Sequence, residues 1–418
     1  MKKNYIEKLA ATFLLCCGLL APQINATDGY FSNGIGIQYR AMAGAGIALY
    51  LSPLSVATNP ASLAFLGTSY DINISLFNPN RKYSVSGTPS FQPGTFGLNP
   101  TTVESGTTAF VIPSMAASWA LDSTKSLGLA IYGNGGMNTD YDAPVFGFQT
   151  TGINLLQLFV APTFAMKVAG NHSFGVTPIL AYQSFEANGL LAFGQFSSNG
   201  ANISNNGSSA STGFGVRVGY LGKINDMISI GAAYQTKIKM GKFDKYSGLF
   251  AEQGGFDIAA NWTAGIALQF DKLGIALDFK QILYSQVKSI ANPILPNLQT
   301  AQLGNETGAG FGWEDMSVIK IGIHYAVQND LILRAGFSTG GQPIPDSEVL
   351  FNILAPGVVE NHVSFGISKG LANGKEVNIF ITRALSNTVS GGNPLEFPGQ
   401  QTIDLTMDQW EFGVGFSF

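Results

Sequence analysis

The chain has 418 residues, of which 51 are glycine and 30 phenylalanine, yet only 11% are charged, against roughly 25% in an ordinary soluble domain. Its net charge of −4 argues against nucleic acid, which demands a basic surface. No catalytic, metal or cofactor signature is present: His172, His324 and His362 have no ligand spacing, and no Gly-x-Ser-x-Gly elbow or phosphate loop precedes a helix.

At the amino terminus, Lys2-Lys3 and Glu7-Lys8 lead into an apolar run from Leu9 to Leu20, followed by Ala21-Pro22-Gln23-Ile24-Asn25-Ala26. This predicts a secretory signal peptide, residues 1–26, cut after Ala26. The run is shorter than the roughly 20 residues a spanning helix needs. No other stretch of that length lacks polar residues, so a helical membrane protein is excluded. Both cysteines, Cys16 and Cys17, fall in the leader, which leaves the mature chain without thiol, disulfide or Cys-bound metal. Leu15 stands before Cys16 where a lipoprotein would carry a small residue. Cleavage removes three lysines and one glutamate and takes the net charge to −6.

Residues 27–67 carry no strand period. They contain Gly29, Gly34, Gly36, Gly44 and Gly46, an alanine-rich stretch from Ala41 to Ala48, and then Asn59-Pro60-Ala61-Ser62-Leu63. Asn59 can accept an orphan N–H and Pro60 suits a first helical position, which predicts a helix start. Small and apolar residues ahead of the first strand suit a segment folded back into a lumen as a plug, or hatch.

From about Thr68 to the end, residues 68–418, alternation of period two dominates. Trp262, Ala264, Ile266, Leu268 and Phe270 oppose Asn261, Thr263, Gly265, Ala267 and Gln269, and Ile319, Ile321, Ile323, Tyr325 and Val327 oppose Lys320, Gly322 and His324. Similar runs occur at 214–220, 273–279, 331–337 and 363–367. In the last eleven residues Trp410, Phe412, Val414, Phe416 and Phe418 share one parity, against Gln409, Glu411, Gly413, Gly415 and Ser417. Short turns at 122–125, 170–172, 223–226, 271–272, 328–330 and 371–375 alternate with long loops near 87–107, 142–154, 190–210, 244–256, 288–312, 341–358 and 389–405. Six turns and seven loops imply an all-β fold, a transmembrane antiparallel β-barrel of about 14 strands, with both ends on the short-turn side. A secreted soluble sandwich is the alternative, but it would want its apolar parity inside and its surface charged. The wall would meet outer-membrane lipid and lipopolysaccharide, the strand ending at Phe418 would address the barrel-assembly machinery, and a monomer is expected.

The residues then resemble the long-chain fatty acid and hydrophobic-compound transporter family of the outer membrane (FadL/TodX type). The likeness rests on Gly34-Ile35-Gly36, Arg40-Ala41-Met42-Ala43-Gly44-Ala45-Gly46 and Val56-Ala57-Thr58-Asn59-Pro60-Ala61. Trp313-Glu314-Asp315, the run 331–336, Pro343-Ile344-Pro345-Asp346 and His362 extend it to the carboxy-terminal part. The resemblance implies a fourteen-stranded barrel plugged by an amino-terminal hatch bearing Asn59, Pro60 and Ala61. It also implies passive transport of hydrophobic molecules, captured between outer loops and released sideways where the third strand kinks inward. Lateral release avoids drawing an acyl chain through water, at about 0.8 kcal/mol per CH₂.

On that template the third strand would be residues 126–141, with Leu127, Leu129 and Ile131 outward and a break at Gly133, Asn134, Gly135 and Gly136 that would form a lateral gate. The bland alternative is a glycine-rich strand end. Leu190, Leu191, Phe193 and Phe196 in one long loop, with Leu249, Phe250 and Phe256 in the next, would form a capture groove unless they only pack on one another. Arg217, Lys320 and Arg334 lie on polar parities and could hold a carboxylate head group, or could simply pair with acids such as Asp278. Asn59 and Pro60 could act only as a cap. The expected function is uptake of hydrophobic molecules, long-chain fatty acids foremost; an aromatic-hydrocarbon channel, a porin or a surface adhesin are the alternatives. A barrel phospholipase would need a Ser-His pair on its outer wall, and the inward parity of His324 argues against it.

Overall fold

The computed structural model describes residues 28–418; the leader expected at 1–26 lies outside the described residues. Fourteen long antiparallel strands follow one another around a closed wall. They are β1 Ser69–Ser86, β2 Phe110–Ala120, β3 Lys125–Tyr141, β4 Thr151–Val168, β5 His172–Asn188, β6 Ser209–Lys223 and β7 Ile228–Gln235, then β8 Ala260–Phe270, β9 Leu273–Leu283, β10 Met316–Gln328, β11 Leu331–Gly340, β12 Asn361–Gly370, β13 Glu376–Gly392 and β14 Thr402–Ser417. Two short ribbons, Thr101–Glu104 against β1 and Lys239–Met240 against β6, extend the wall at its loop end.

β14 closes the barrel on β1, from Asp71 opposite Ser417 to Ser86 opposite Thr402. Beyond the ladder, Tyr70 and Phe418 exchange backbone hydrogen bonds at 2.7 and 3.0 Å and stack their rings 5.3 Å apart. Closure leaves no unpaired edge at this seam, which is the condition for a sheet to sit in lipid. The parity read from sequence holds: Ile72, Ile74, Leu76, Phe412, Val414 and Phe416 are exposed on the outer face, and Asp71, Asn73 and Ser75 are buried inside. The last long loop is shorter than expected, because Thr388–Thr406 and Ser390–Asp404 side-chain pairs carry the β13–β14 hairpin up to residues 392 and 402.

Residues 28–67 lie inside the wall. Their regular elements are short: a helix at Ile37–Arg40 and 3₁₀ turns at Pro53–Ala57 and Pro60–Phe65. Inward glycines make room for them. A side chain at Gly336 would collide with the Met42 backbone, at Gly175 with Pro60, and at Gly231 with the Ile47 carbonyl. Backbone groups that the short elements leave over are bonded to the wall, as burial requires: Gly46 and Ile47 donate to the Asp278 carboxylate at 2.7 and 2.9 Å, and Val56 O accepts from Arg217 at 3.2 Å.

Candidate functional site

Asn59 caps the 3₁₀ turn at Pro60–Phe65 by accepting the Ala61 N–H at 3.1 Å. Its amide donates to Ile47 O and to Tyr220 O on β6, both at 2.9 Å. One side chain thus joins two parts of the inner segment to the wall, which is more than a cap does. At the short-turn end Tyr50 and Phe65 close the segment against the wall, with the Lys223 ammonium 4.4 and 4.5 Å from their ring centroids, a cation–π arrangement.

The wall is incomplete between β2 and β3. β3 pairs with β2 only from Ser126 to Tyr132, opposite Ala120 to Ser114. Its ladder with β4 carries a bulge between Gly133 and Gly135. At the bulge the strand turns to the inner segment: Ser32 N donates to Asn134 O at 2.9 Å, Gly136 N donates to Tyr30 O at 3.1 Å, and Phe31 faces Gly135 across an isolated bridge. A Cβ on Gly135 would lie 2.0 Å from the Tyr30 carbonyl oxygen, so only glycine permits this approach. The Asn134 amide, 6% exposed, donates to Gln157 at 3.0 Å, and Gln157 passes the chain to Gln183 and on to Phe256 O. Above the gap Arg81 donates to Asn138 and to Thr107 O, and Gly106 N donates to Asp140 O at 2.7 Å. The result is a framed opening between residues 110–113 and 133–138.

A cavity of about 640 Å³ reaches that opening from the lumen, lined on one side by Tyr30, Phe31, Trp313 and Met137 and on the other by Val111 and Leu156. Val111 and Leu156 are 64% and 53% exposed on the outer face, so the cavity connects the interior to the lipid side. Its size falls in the range of small-molecule sites. Tyr30, Phe31 and Trp313 form its aromatic floor, and Tyr284 packs behind them, with ring centroids 4.8–6.1 Å apart in this cluster.

A sequence model of the outer membrane protein transport protein family (OMPP1/FadL/TodX) matches residues 30–368. The chain belongs to this family. It is accordingly an outer-membrane barrel of a family of channels that transport hydrophobic compounds. The fold agrees with solved members: the Pseudomonas putida toluene transporter TodX is 19% identical over 92% of this chain and 98% of its own, with a TM-score of 0.66. A Pseudomonas aeruginosa FadL homologue is 17% identical over 93% and 99%, with a TM-score of 0.71. The CymD monoaromatic hydrocarbon channel is 15% identical over 94% and 98%, with a TM-score of 0.59. Comparison with curated proteins finds no match.

The basic residues of this family member fall in different settings. Lys320 on β10 donates to Asp28 at 3.0 Å and to Asn33 at 2.6 Å. Lys280 on β9 reaches the same Asp28 oxygen at 2.6 Å. Burial opposes ionisation of Asp28, but Lys280 and then Lys320 outweigh it and hold its pKa at about 2. Arg217 bonds Val56 O, the Tyr132 hydroxyl and Gln235. A small polar cavity of about 60 Å³ lies beside Arg217, Lys280 and Lys320, with Tyr132, Asn134 and Asn261 among its walls. Arg334 is elsewhere, bonded to Ser368 across the β11–β12 ladder. Asp28 and Lys280 were not singled out by sequence: Lys280 shares the inward parity of Asp278 one residue beyond the read strand, whereas Asp28 lies in a segment with no period.

The two apolar loops touch, Ser197 donating to Gly248 O at 2.7 Å. Leu190, Phe193, Phe250 and Phe256 are buried, Leu249 is half-buried, and Leu191 and Phe196 are exposed. Phe193 packs with Phe96, Phe146 and Phe351, while Phe250 packs with Phe185, Phe243 and Phe256. The large apolar side chains that these loops expose are thus Leu191, Phe196 and part of Leu249.

Proposed function

We propose that the chain takes hydrophobic molecules, long-chain fatty acids foremost, from the outside into the 640 Å³ cavity and releases them sideways into the membrane between β2 and β3. The observation that carries this reading is the continuity of that cavity from the aromatic floor to Val111 and Leu156 on the outer face. An apolar ligand on this route stays in mostly apolar surroundings, which limits the cost of re-exposing it to water. Leu191, Phe196 and Leu249 form the first apolar contact; residues 28–67 act as the hatch, with Asn59, Pro60 and Ala61 fixing it. Gly133, Asn134, Gly135 and Gly136 form the lateral gate.

A carboxylate head group is favoured by the three cations around the 60 Å³ polar cavity. Arg217 and Lys320 belong to the site, Lys280 joins them, and Arg334 does not. The aromatic floor favours a second reading, uptake of a monoaromatic hydrocarbon, the ligand class of the TodX and CymD channels. Uptake of labelled oleate and of labelled toluene by cells with and without the gene separates the two. Loss of oleate uptake alone supports the first reading; loss of toluene uptake alone overturns it in favour of the second.

A further inference from the structure

Residues 28–32 join the cation cluster to the opening. Asp28 is 1% exposed and its Oδ2 receives both Lys280 and Lys320. Among the described residues no donor reaches its Oδ1. Gly29 follows with φ +62°, where a Cβ would collide with the Tyr284 hydroxyl, and that hydroxyl donates to Asp28 O at 2.7 Å. Phe31 and Ser32 come next, and these two residues line both the large apolar cavity and the small polar one. They form the partition between a space fit for an acyl chain and a space fit for a carboxylate. The Lys280 ammonium stands 5.5 Å from the centroid of the Phe31 ring, so one cation touches both the tether and the partition.

A ligand with its head in the polar cavity and its tail in the apolar one must cross the Phe31–Ser32 partition. The anchor of that partition is the Asp28 carboxylate, held by cations that line the head-group cavity. Asp278, opposite Lys320 on the ladder, is held separately by the Gly46 and Ile47 N–H groups, whereas the side chain of Asp28 is held by the two lysines.

We infer that Asp28 is a latch: it occupies Lys280 and Lys320 in the empty channel, and a ligand carboxylate releases residues 28–32 from the kinked strand by competing for the same two ammonium groups. This rests on the carboxylate reading above and adds to it a specificity element. A neutral ligand of the same length does not compete and leaves the partition in place. A carboxylate bound to the empty channel spends part of its affinity on displacing Asp28, and removing the latch returns that part.

The test compares oleate with oleyl alcohol on the detergent-solubilised full chain, as wild type, Asp28→Asn and Lys280→Gln. For Asp28→Asn the latch predicts that oleate binds about tenfold more tightly while oleyl alcohol changes by less than about twofold. For Lys280→Gln it predicts that the preference for oleate over the alcohol shrinks. Unchanged or weaker oleate binding by a folded Asp28→Asn protein overturns the latch, as does an equal gain for both ligands, which would mean a generally loosened hatch. Should Asp28→Asn fail to fold, Lys280→Gln decides: an undiminished oleate preference overturns the proposal. Oleate binding absent from wild type and variants alike, with toluene bound, would instead remove the fatty-acid reading itself.

Discussion

The wall differs between β14–β1 and β2–β3. The first seam is paired without interruption from Asp71–Ser417 to Ser86–Thr402, while the second ends at Ser114–Tyr132 although β3 runs on to Tyr141. Backbone groups at a free edge in lipid are costly. At the second seam that cost is relieved by the inner segment, which supplies Ser32 N and Tyr30 O to Asn134 and Gly136. The comparison teaches that the opening and the inner segment are one structure: the wall can be left open there because residues 30–32 satisfy its edge, and any movement of that segment must change the edge.

The largest expected effect comes from stapling the open seam. A Cβ on Gly133 would lie 3.4 Å from Ile112 Cγ2, which makes Ile112→Cys with Gly133→Cys the pair to cross-link across this seam. With no other cysteine after Cys17, the oxidised protein should lose oleate uptake by about tenfold or more and regain it on reduction. Full uptake with the disulfide verified by mass would break the comparison. At the paired seam, Leu76→Ala should leave uptake within about twofold, since outward positions only meet lipid.

Asn59→Ala removes the cap and leaves Ile47 O and Tyr220 O without their donor, a loss of roughly 2–3 kcal/mol in hatch anchoring. The barrel should persist, and planar-bilayer recordings should show an ion leak that wild type lacks. Gly135→Val is milder in cost but sharper in place: its side chain meets the Tyr30 carbonyl oxygen, so it should push the hatch off β3 and loosen residues 30–32 in amide exchange. An unchanged exchange rate there would mean that the bridge does not hold the segment.

The smallest effect is in pH. Asp28 has its pKa lowered to about 2 by Lys280 and Lys320 against the opposing effect of burial, so its pairing stabilises the hatch fully above the ordinary carboxylate pKa of about 3.9. That contribution should disappear as pH falls from about 4 toward 2, and Asp28→Asn should lack this step in melting temperature.

Much of this was legible in the sequence. Period-two alternation in 261–270, 318–327 and 408–418 revealed strand, face and medium, because every outward position must be apolar and inward positions are free. The Gly133–Gly136 run revealed where the wall could break, but not that Tyr30–Ser32 would fill in for the missing strand, since that contact is made by backbone. The loops misled in part: Phe193 and Phe256 look like exposed capture residues, yet apolar composition does not separate a binding surface from a small core. Arg217, Lys320 and Arg334 share inward parity, and only the strand order shows that Arg334 stands apart from the other two.

The most direct measurement of the central claim is to follow a fatty acid carrying a photoreactive group at its tail during uptake, and to map the labelled residues. Release through the wall predicts labels at 110–113 and 133–138, beside the opening. Labels at Tyr50, Phe65 and Lys223, where the inner segment closes the short-turn end, would mean that the ligand leaves along the barrel axis and would contradict the account.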